Sequence, residues 1–208
     1  MATRHDVAQR SPEWQELRRM KITGTTLKSI LGTPVARTKA FYATVAELLT
    51  VPEIDAPEYE NPMDRGTRLE PQAIAAYEFH TGSKVMHTGF VESDELPLVG
   101  QSPDGDVSMT DGGLLGIEVK CLLGEAHMTV VMTNTIPKDY IPQGLQYLIT
   151  DPAREAVDFV FYNPEIPRFA LHVIRMNRAK YQKEIMDATY AQEVFVKEVL
   201  DAVEKLIA

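Results

Sequence analysis

A mixed β-sheet with helices on both sides, α/β or α+β and contained in a single domain, is the fold class this sequence predicts. Three observations carry the prediction. The chain has 208 residues, enough for one well-buried domain and short for two, and its 44% hydrophobic and 25% charged residues are ordinary proportions for a globular protein. Five stretches read as strands, at residues 84–92, 96–101, 114–122, 157–162 and 169–176. The segments before, between and after them carry apolar residues at helical spacing.

Residues 1–10 are polar with no apolar core after them, so no secretory signal is expected, and no apolar run of ~18 residues suggests a membrane span. Ser11-Pro12-Glu13 opens a helix, with Ser at the cap, Pro at the first helical position and an acid in the first turn. Trp14, Leu17 and Met20 share its inward face, while Arg18 and Arg19 leave on other sides. Thr25 or Thr26 is placed to cap a second helix through Leu27 and Leu31, stopped by Gly32. The free N–H groups at such a start can seat an anion, although plain capping explains the same residues. Residues 38–50 form a third helix with Phe41, Val45 and Leu48 on one face, and the acidic, proline-flanked residues 51–61 read as a surface linker.

A longer helix is expected over residues 64–81 with Gly82 as its stop, facing Leu69, Ile74 (or Ala73), Tyr77 and Phe79 inward. Pro71 should kink it or mark a first turn, and Gly66, one turn before Glu70, leaves room for something to approach. The next three strands, joined by short turns, suggest an antiparallel meander. Helices follow at residues 125–133 and 139–150. On the second, Gln143, Gln146 and Tyr147 share a face, and glutamines on a buried side require hydrogen-bonding partners. After the last two strands, a long helix runs from residue 177 nearly to the end.

The chemistry concentrates between Gly100 and Cys121. Asp104 sits in the turn sequence Ser102-Pro103-Asp104-Gly105, and fourteen residues later comes the alternating run Ile117-Glu118-Val119-Lys120-Cys121. Alternation puts Glu118 and Lys120 on one face, roughly 7 Å apart. If the two segments pair as a hairpin turning at Asp111-Gly112-Gly113, Asp104 reaches the same edge. Each feature by itself is ordinarily a solvated strand face or a turn, but together they assemble two carboxylates and an ammonium. Oxygen donors of this kind suit Mg²⁺ or Mn²⁺ and not zinc.

Composition narrows the function classes. The net charge of −9 excludes a general nucleic-acid coat, yet residues 1–40 hold eight Lys/Arg against three acids, leaving −14 on the remainder. A basic quarter on an acidic body can bind a polyanion locally. One cysteine excludes an internal disulfide and fits a reducing cytosol; Cys121 is expected to face the core, opposite Lys120. The five histidines show no metal-ligand spacing, and no phosphate-binding loop is present, so no ATP requirement is expected.

Gly66-x-x-x-Glu70, Ser102-Pro103-Asp104-Gly105, Glu118-x-Lys120-Cys121 and the Gln143-to-Tyr147 helix form one set, preceded by Trp14-x-x-Leu17-Arg18 and Ile22-Thr23-Gly24-Thr25. In these motifs the chain resembles the lambda exonuclease (YqaJ-type viral recombinase) family of PD-(D/E)xK nucleases. The resemblance implies a restriction-endonuclease-like core over residues 62–176, a helical N-terminal part (residues 1–61) that binds the DNA end, and a C-terminal helix (residues 177–208). It implies a Mg²⁺-dependent enzyme, with Mn²⁺ as an alternative and two ions, that digests one strand of linear duplex DNA from its 5′ end and leaves 3′ overhangs. It further implies a homotrimeric ring, a single-strand annealing protein as partner, and the cytoplasm of a bacterial host cell as location.

By this resemblance Asp104, Glu118, Lys120, Glu70 and Gln143 are catalytic, with Asp104, Glu118, Glu70 and the Val119 carbonyl as metal ligands. Gln146 is the other residue onto which the family's glutamine can be aligned. Arg18, Thr25 and Ser102 would form the pocket for the 5′-terminal phosphate, and Met63 the wedge that separates the terminal bases. A structure- or sequence-specific endonuclease or nickase of the same superfamily, and an inactive ring subunit that binds DNA ends, are the competing expectations.

Overall fold

In the computed structural model of the chain, which describes residues 2–19, 21–49, 64–110 and 112–207, two sheets meet at the turn after Gln101. The smaller is antiparallel, ordered β1 (Ala2–His5), β2 (Phe90–Ser93), β3 (Gly100–Gln101). The larger is ordered β4 (Gly105–Ser108), β5 (Leu114–Lys120), β6 (Arg154–Tyr162), β7 (Leu171–Asn177). In it β5 and β6 run parallel while the outer pairs are antiparallel, which makes this sheet mixed, as the sequence predicts.

The expected meander is corrected. The strand read over residues 114–122 does not pair with β3: as β5 it lies between β4 and β6, because the chain turns at Ser102-Pro103-Asp104 and lays β4 against it; β3 stays in one sheet and β4 opens the other. The strand read over residues 84–92 shortens to β2, with only a single bridge from Met86 to Asp106 before it. β1 is an addition: its polar residues gave no alternation of apolar and polar positions, yet all four pair with β2.

The helices are α1 (Pro12–Arg18), α2 (Gly24–Ile30), α3 (Pro34–Leu49), α4 (Asp64–Thr81), α5 (Gly124–Thr133), α6 (Ile141–Thr150) and α7 (Gln182–Ile207). Ser11 caps α1 as expected, its hydroxyl accepting from the Trp14 N–H at 3.1 Å. Neither Thr25 nor Thr26 caps α2: the chain enters the helix at Gly24, and the capping position falls on Thr23, whose side chain makes no capping bond. Within α4, Leu69, Ala73 and Tyr77 are buried at successive four-residue steps, whereas Phe79 is 93% exposed. Two residues past Tyr77, Phe79 has rotated to the far side of the helix, which corrects its placement in the core. Met20 and Met63, and the side chain of Leu48, lie outside the described residues.

Packing follows the apolar faces. α4 covers one face of the large sheet, Ala73 and Tyr77 meeting Val107, Ile117, Val119 and Val160. The other face receives α5, α6 and the start of α7, around Leu145, Leu148, Phe159, Phe161 and Met176. Each fully buried Phe or Leu there contributes roughly 2–3 kcal/mol. A third cluster ties α2 and α3 to α7 through Leu27's neighbour Ile30, Val45, Phe195 and Val199, with Ile22 and Val99 beneath.

One buried charge network fixes the two sheets to each other. Arg154, fully buried on β6, reaches across β5 and donates from Nε to Asp106 Oδ1 at 2.9 Å and from Nη2 to Oδ2 at 3.0 Å. Arg4 on β1 joins the same carboxylate at 3.1 Å and pairs with Asp151 at the end of α6. Asp106 also accepts from Thr88 at 2.8 Å. Charges taken out of water need such full hydrogen bonding. No helix among the described residues is long and apolar enough to cross a membrane.

Candidate active site

β4 ends its backbone pairing at Gly105, opposite Ile117, and the side chain of Asp104 continues the ladder by one step. Asp104 Oδ2 accepts from the Val119 N–H at 2.7 Å while its own N–H donates to the Ile117 carbonyl at 3.2 Å. The carboxylate is therefore held by the strand that carries Glu118 and Lys120. That strand continues past Lys120 into the crossover that α5 and α6 make back to parallel β6, so the site lies at the carboxyl end of β5, where open α/β sheets bind ligands.

Glu118 is 7% exposed and both of its oxygens are engaged. Oε1 accepts from Lys120 Nζ, and Oε2 lies 2.6 Å from the Tyr147 hydroxyl on α6. The same hydroxyl lies 2.9 Å from the Ile117 carbonyl and accepts from the Asp104 N–H at 3.3 Å. Tyr147 gets this close because residue 116 is glycine: a Cβ there would sit 2.6 Å from the ring's Cδ1. Lys120 Nζ also lies 5.0 Å from the centre of the Tyr140 ring, so an aromatic face and a carboxylate both stabilise its charge.

The electrostatics follow from crowding acids in a half-enclosed place. Burial pushes the Asp104 carboxyl well above its ordinary range, and the Glu118 and Glu70 charges push it the same way against the Val119 N–H and Lys120. Glu70 on α4 is likewise raised by burial and by Glu118, with Arg10, 3.9 Å away, opposing. Burial works to lower Lys120, but the Glu118 charge and hydrogen bond outweigh it, and the group is raised and stays an ammonium. Tyr147 is raised well above a free phenol by burial and by both carboxylates, so it remains a donor.

These groups line one cleft of about 420 Å³. Arg18, Thr25, Ser102, Glu70, Asp104, Glu118, Val119, Lys120 and Gln143 all border it, so the structure brings together every candidate that falls among the described residues. Met63 falls outside them. The two glutamines separate: Gln143 faces the cleft, whereas fully buried Gln146 spends its amide on the Ile22 and Gly100 carbonyls at 2.9 and 3.3 Å. Gln146 therefore holds the helical N-terminal part to the sheets. Cys121, expected in the core, is half-buried and lies at the cleft wall as well as against the α4 cluster.

Among the described residues, no three His, Cys, Asp or Glu side chains stand together as a ready-made metal cage. The donor chemistry nevertheless fits a hard divalent cation. The charges of Glu118 and Glu70 raise Asp104, and that of Glu118 raises Glu70, so a cation would relieve the crowding; each carboxylate oxygen keeps a lone pair beyond the bonds it makes, and water can fill the other positions.

Several contacts at the site are not legible in the sequence. Trp14 Nε1 donates to Ser102 Oγ at 2.7 Å, Gln9 Nε2 to the Pro103 carbonyl at 2.6 Å, and Arg10 reaches Glu70. The stretch from residue 9 to 18 thus straps the turn that carries Asp104. A buried or half-buried indole or phenol needs a partner for its polar end, which is the signal the sequence offers at Trp14 and Tyr147.

The sequence profile of the YqaJ-like viral recombinase domain matches residues 13–152, a span that contains every one of these site residues from Trp14 to Tyr147. The fold is similar to the crystal structure of an alkaline exonuclease from Laribacter hongkongensis, at 27% identity over 94% of this chain and 96% of that one, with a TM-score of 0.81. The complex of that enzyme with dAMP matches with the same coverage and TM-score at 26% identity. No curated protein matches the chain.

Proposed function

The chain belongs to the family of YqaJ-like viral recombinase domains, and from that membership and its likeness to an alkaline exonuclease it is a nuclease acting on DNA; we propose that it is a Mg²⁺-dependent 5′-to-3′ exonuclease. It digests one strand of linear duplex and leaves a 3′ single strand for recombination by annealing. The observation that carries this reading is the meeting of Asp104, Glu118, Glu70 and Lys120 on one cleft at the end of β5. A relative of the same fold that binds dAMP, a nucleoside monophosphate, supports a product of that class.

Asp104, Glu118, Glu70 and the Val119 carbonyl would hold the metal. When bound, Mg²⁺ supplies neutralisation of charge at phosphorus and a more acidic attacking water. The residues do the rest. Lys120, kept cationic by Glu118, orients the attacking water and stabilises the negative charge that grows on the phosphoryl oxygens. Tyr147 holds Glu118 in its rotamer and Asp104 at its place beside β5. Gln143, whose Oε1 is buried without a partner among the described residues, accepts there from Lys120 or turns its Nε2 donor to the phosphate.

Arg18, Thr25 and Ser102 line the same cleft and take the 5′-terminal phosphate, which sets which bond lies over the acids. The strap from Gln9 to Arg18 ties these residues to the turn that carries Asp104. Met63 remains the proposed wedge, and a homotrimeric ring, an annealing-protein partner and action in the cytoplasm of a bacterial host complete the reading.

The deciding experiment is a time course on end-labelled linear duplex, 5′-phosphorylated or 5′-hydroxyl, with and without Mg²⁺, beside a covalently closed circle. Mononucleotides released from the phosphorylated 5′ end only when Mg²⁺ is present are expected. Cleavage of the circle would reassign the protein as an endonuclease or nickase, and metal-independent binding without release would make it an inactive end-binding subunit.

A further inference from the structure

Trp14 is the sole tryptophan of the chain, and it is half-buried on α1 at the wall of the cleft. Its two chemical faces serve two different neighbours. The indole N–H donates to Ser102 Oγ at 2.7 Å, and the Arg18 guanidinium carbon lies 5.2 Å from the ring centre. One side chain thus touches two of the three groups proposed to hold the terminal phosphate. We propose that Trp14 is the positioning residue of the 5′-phosphate pocket, setting the donor direction of Ser102 and the stacked pose of Arg18; this rests on the exonuclease reading above.

A serine hydroxyl serves an anion only by donating its proton to it. Ser102 Oγ has one proton and two lone pairs. The Trp14 N–H fills one lone pair, and the proton goes to the Gly89 carbonyl at 2.9 Å. A phosphate oxygen can only accept, so binding must redirect that proton from Gly89 toward the cleft. With the indole N–H in place, Oγ stays fixed while the O–H swings about the Cβ–Oγ bond, and a donor into Oγ also strengthens its outgoing bond. Without it the hydroxyl is free to present a lone pair to the phosphate, which repels. Arg18 faces the complementary constraint: an arginine at the end of the seven-residue α1 has many rotamers, and stacking on the indole plane favours one of them.

The roles can be separated. Trp14→Phe keeps an aromatic face for Arg18 and removes the N–H; Ser102→Ala removes its acceptor. The quantity to measure is the ratio of kcat/KM for 5′-phosphorylated over 5′-hydroxyl linear duplex, with kcat and KM resolved. Trp14→Phe is expected to lower the ratio about fivefold to tenfold, through KM for the phosphorylated end. Added to Ser102→Ala, it should lower the ratio no further. Wild-type discrimination in Trp14→Phe, equal losses on both ends, or additive losses in the double variant would overturn the proposal. A wild-type enzyme indifferent to the phosphate would remove the pocket itself, and the exonuclease's end recognition with it.

A second measurement needs no variant. Because the chain has one tryptophan, its emission reports this pocket alone. With Ca²⁺ replacing Mg²⁺ to prevent cleavage, titration with 5′-phosphorylated duplex is expected to shift the emission saturably, and 5′-hydroxyl duplex to leave that shift out. Identical emission changes with the two ends would show that Trp14 does not sense the phosphate.

Discussion

The Tyr147 hydroxyl stands 2.6 Å from Glu118 Oε2 and takes the Asp104 N–H at 3.3 Å, so one phenol from α6 links the two acids that come from separate stretches of chain. A hydroxyl has a single proton, and between Glu118 and the Ile117 carbonyl at 2.9 Å the carboxylate is the stronger acceptor.

Tyr147→Phe is accordingly expected to leave the fold intact and slow hydrolysis. A hydrogen bond to a charged group contributes roughly 1.5–3 kcal/mol, which corresponds to a loss of about tenfold to a hundredfold if it acts fully in the transition state. Single-turnover cleavage at saturating Mg²⁺ measures this, with unchanged circular dichroism as the control. A rate within twofold of wild type would remove Tyr147 from the working site.

Lys120→Ala removes the ammonium that Glu118 and Tyr140 hold in place. Hydrolysis should fall below detection while binding of a duplex end without Mg²⁺ persists, as read by fluorescence anisotropy on a labelled duplex. Cleavage at the wild-type rate by this variant is incompatible with the mechanism.

Asp104 yields a pH prediction with a definite sign. Its carboxyl is raised in the folded protein, chiefly by burial and then by Glu118 and Glu70, so folding favours the protonated form. Its contribution to stability is therefore full below the ordinary aspartate value and is lost as pH rises through the raised one. In EDTA at pH 8, Asp104→Asn should melt roughly 3 °C or more above wild type, with the difference vanishing at low pH. Mg²⁺ should raise the wild-type Tm more at pH 8 than at pH 5 and leave the variant nearly unchanged, since only the native carboxylate set binds it. Differential scanning calorimetry with and without metal checks all three; a variant that melts lower at pH 8 would contradict the assignment of the shift to burial.

Gly116→Ala places a methyl 2.6 Å from the Tyr147 ring and 3.3 Å from Arg154 Cδ, both of which are packed from behind. Overpacking of this kind costs roughly 1–3 kcal/mol. The expected result is a lower denaturant midpoint together with reduced cleavage, because displacing the ring carries its hydroxyl away from Glu118. Restoration of activity by a second change, Tyr147→Phe, is not expected, since it frees space without replacing the hydrogen bond.

The acids, the lysine and their common strand were readable because strand alternation is a local rule: Glu118 and Lys120 share a face whatever else the chain does. The Asp104 turn and the Gly112 turn, at a φ of +87°, were likewise written in Pro, Asp and Gly. Helical spacing points both Tyr77 and Phe79 inward, and the structure buries only Tyr77. Spacing gives a helix an apolar side, but with apolar residues two apart it does not say which of them faces inward. β1 left no signal, because its stability comes from pairing with β2 and from Arg4 on Asp106 and Asp151, partners about a hundred residues or more away in sequence. The Gln143 and Gln146 ambiguity had the same origin: one helical step separates them, and only the seating of α6 against α2 and β3 turns Gln146 into the core and Gln143 to the cleft.

By itself the sequence determined the fold class and the identity of the acid–lysine set, since periodicity, turn chemistry and side-chain type act over a few residues. Tertiary structure decided that the strands divide into two sheets, that Tyr147 bridges the acids, and that Trp14 holds Ser102. Those are contacts between segments 29 to 88 residues apart, and their formation depends on how whole elements pack, a matter of shape and burial that no short stretch of chain encodes.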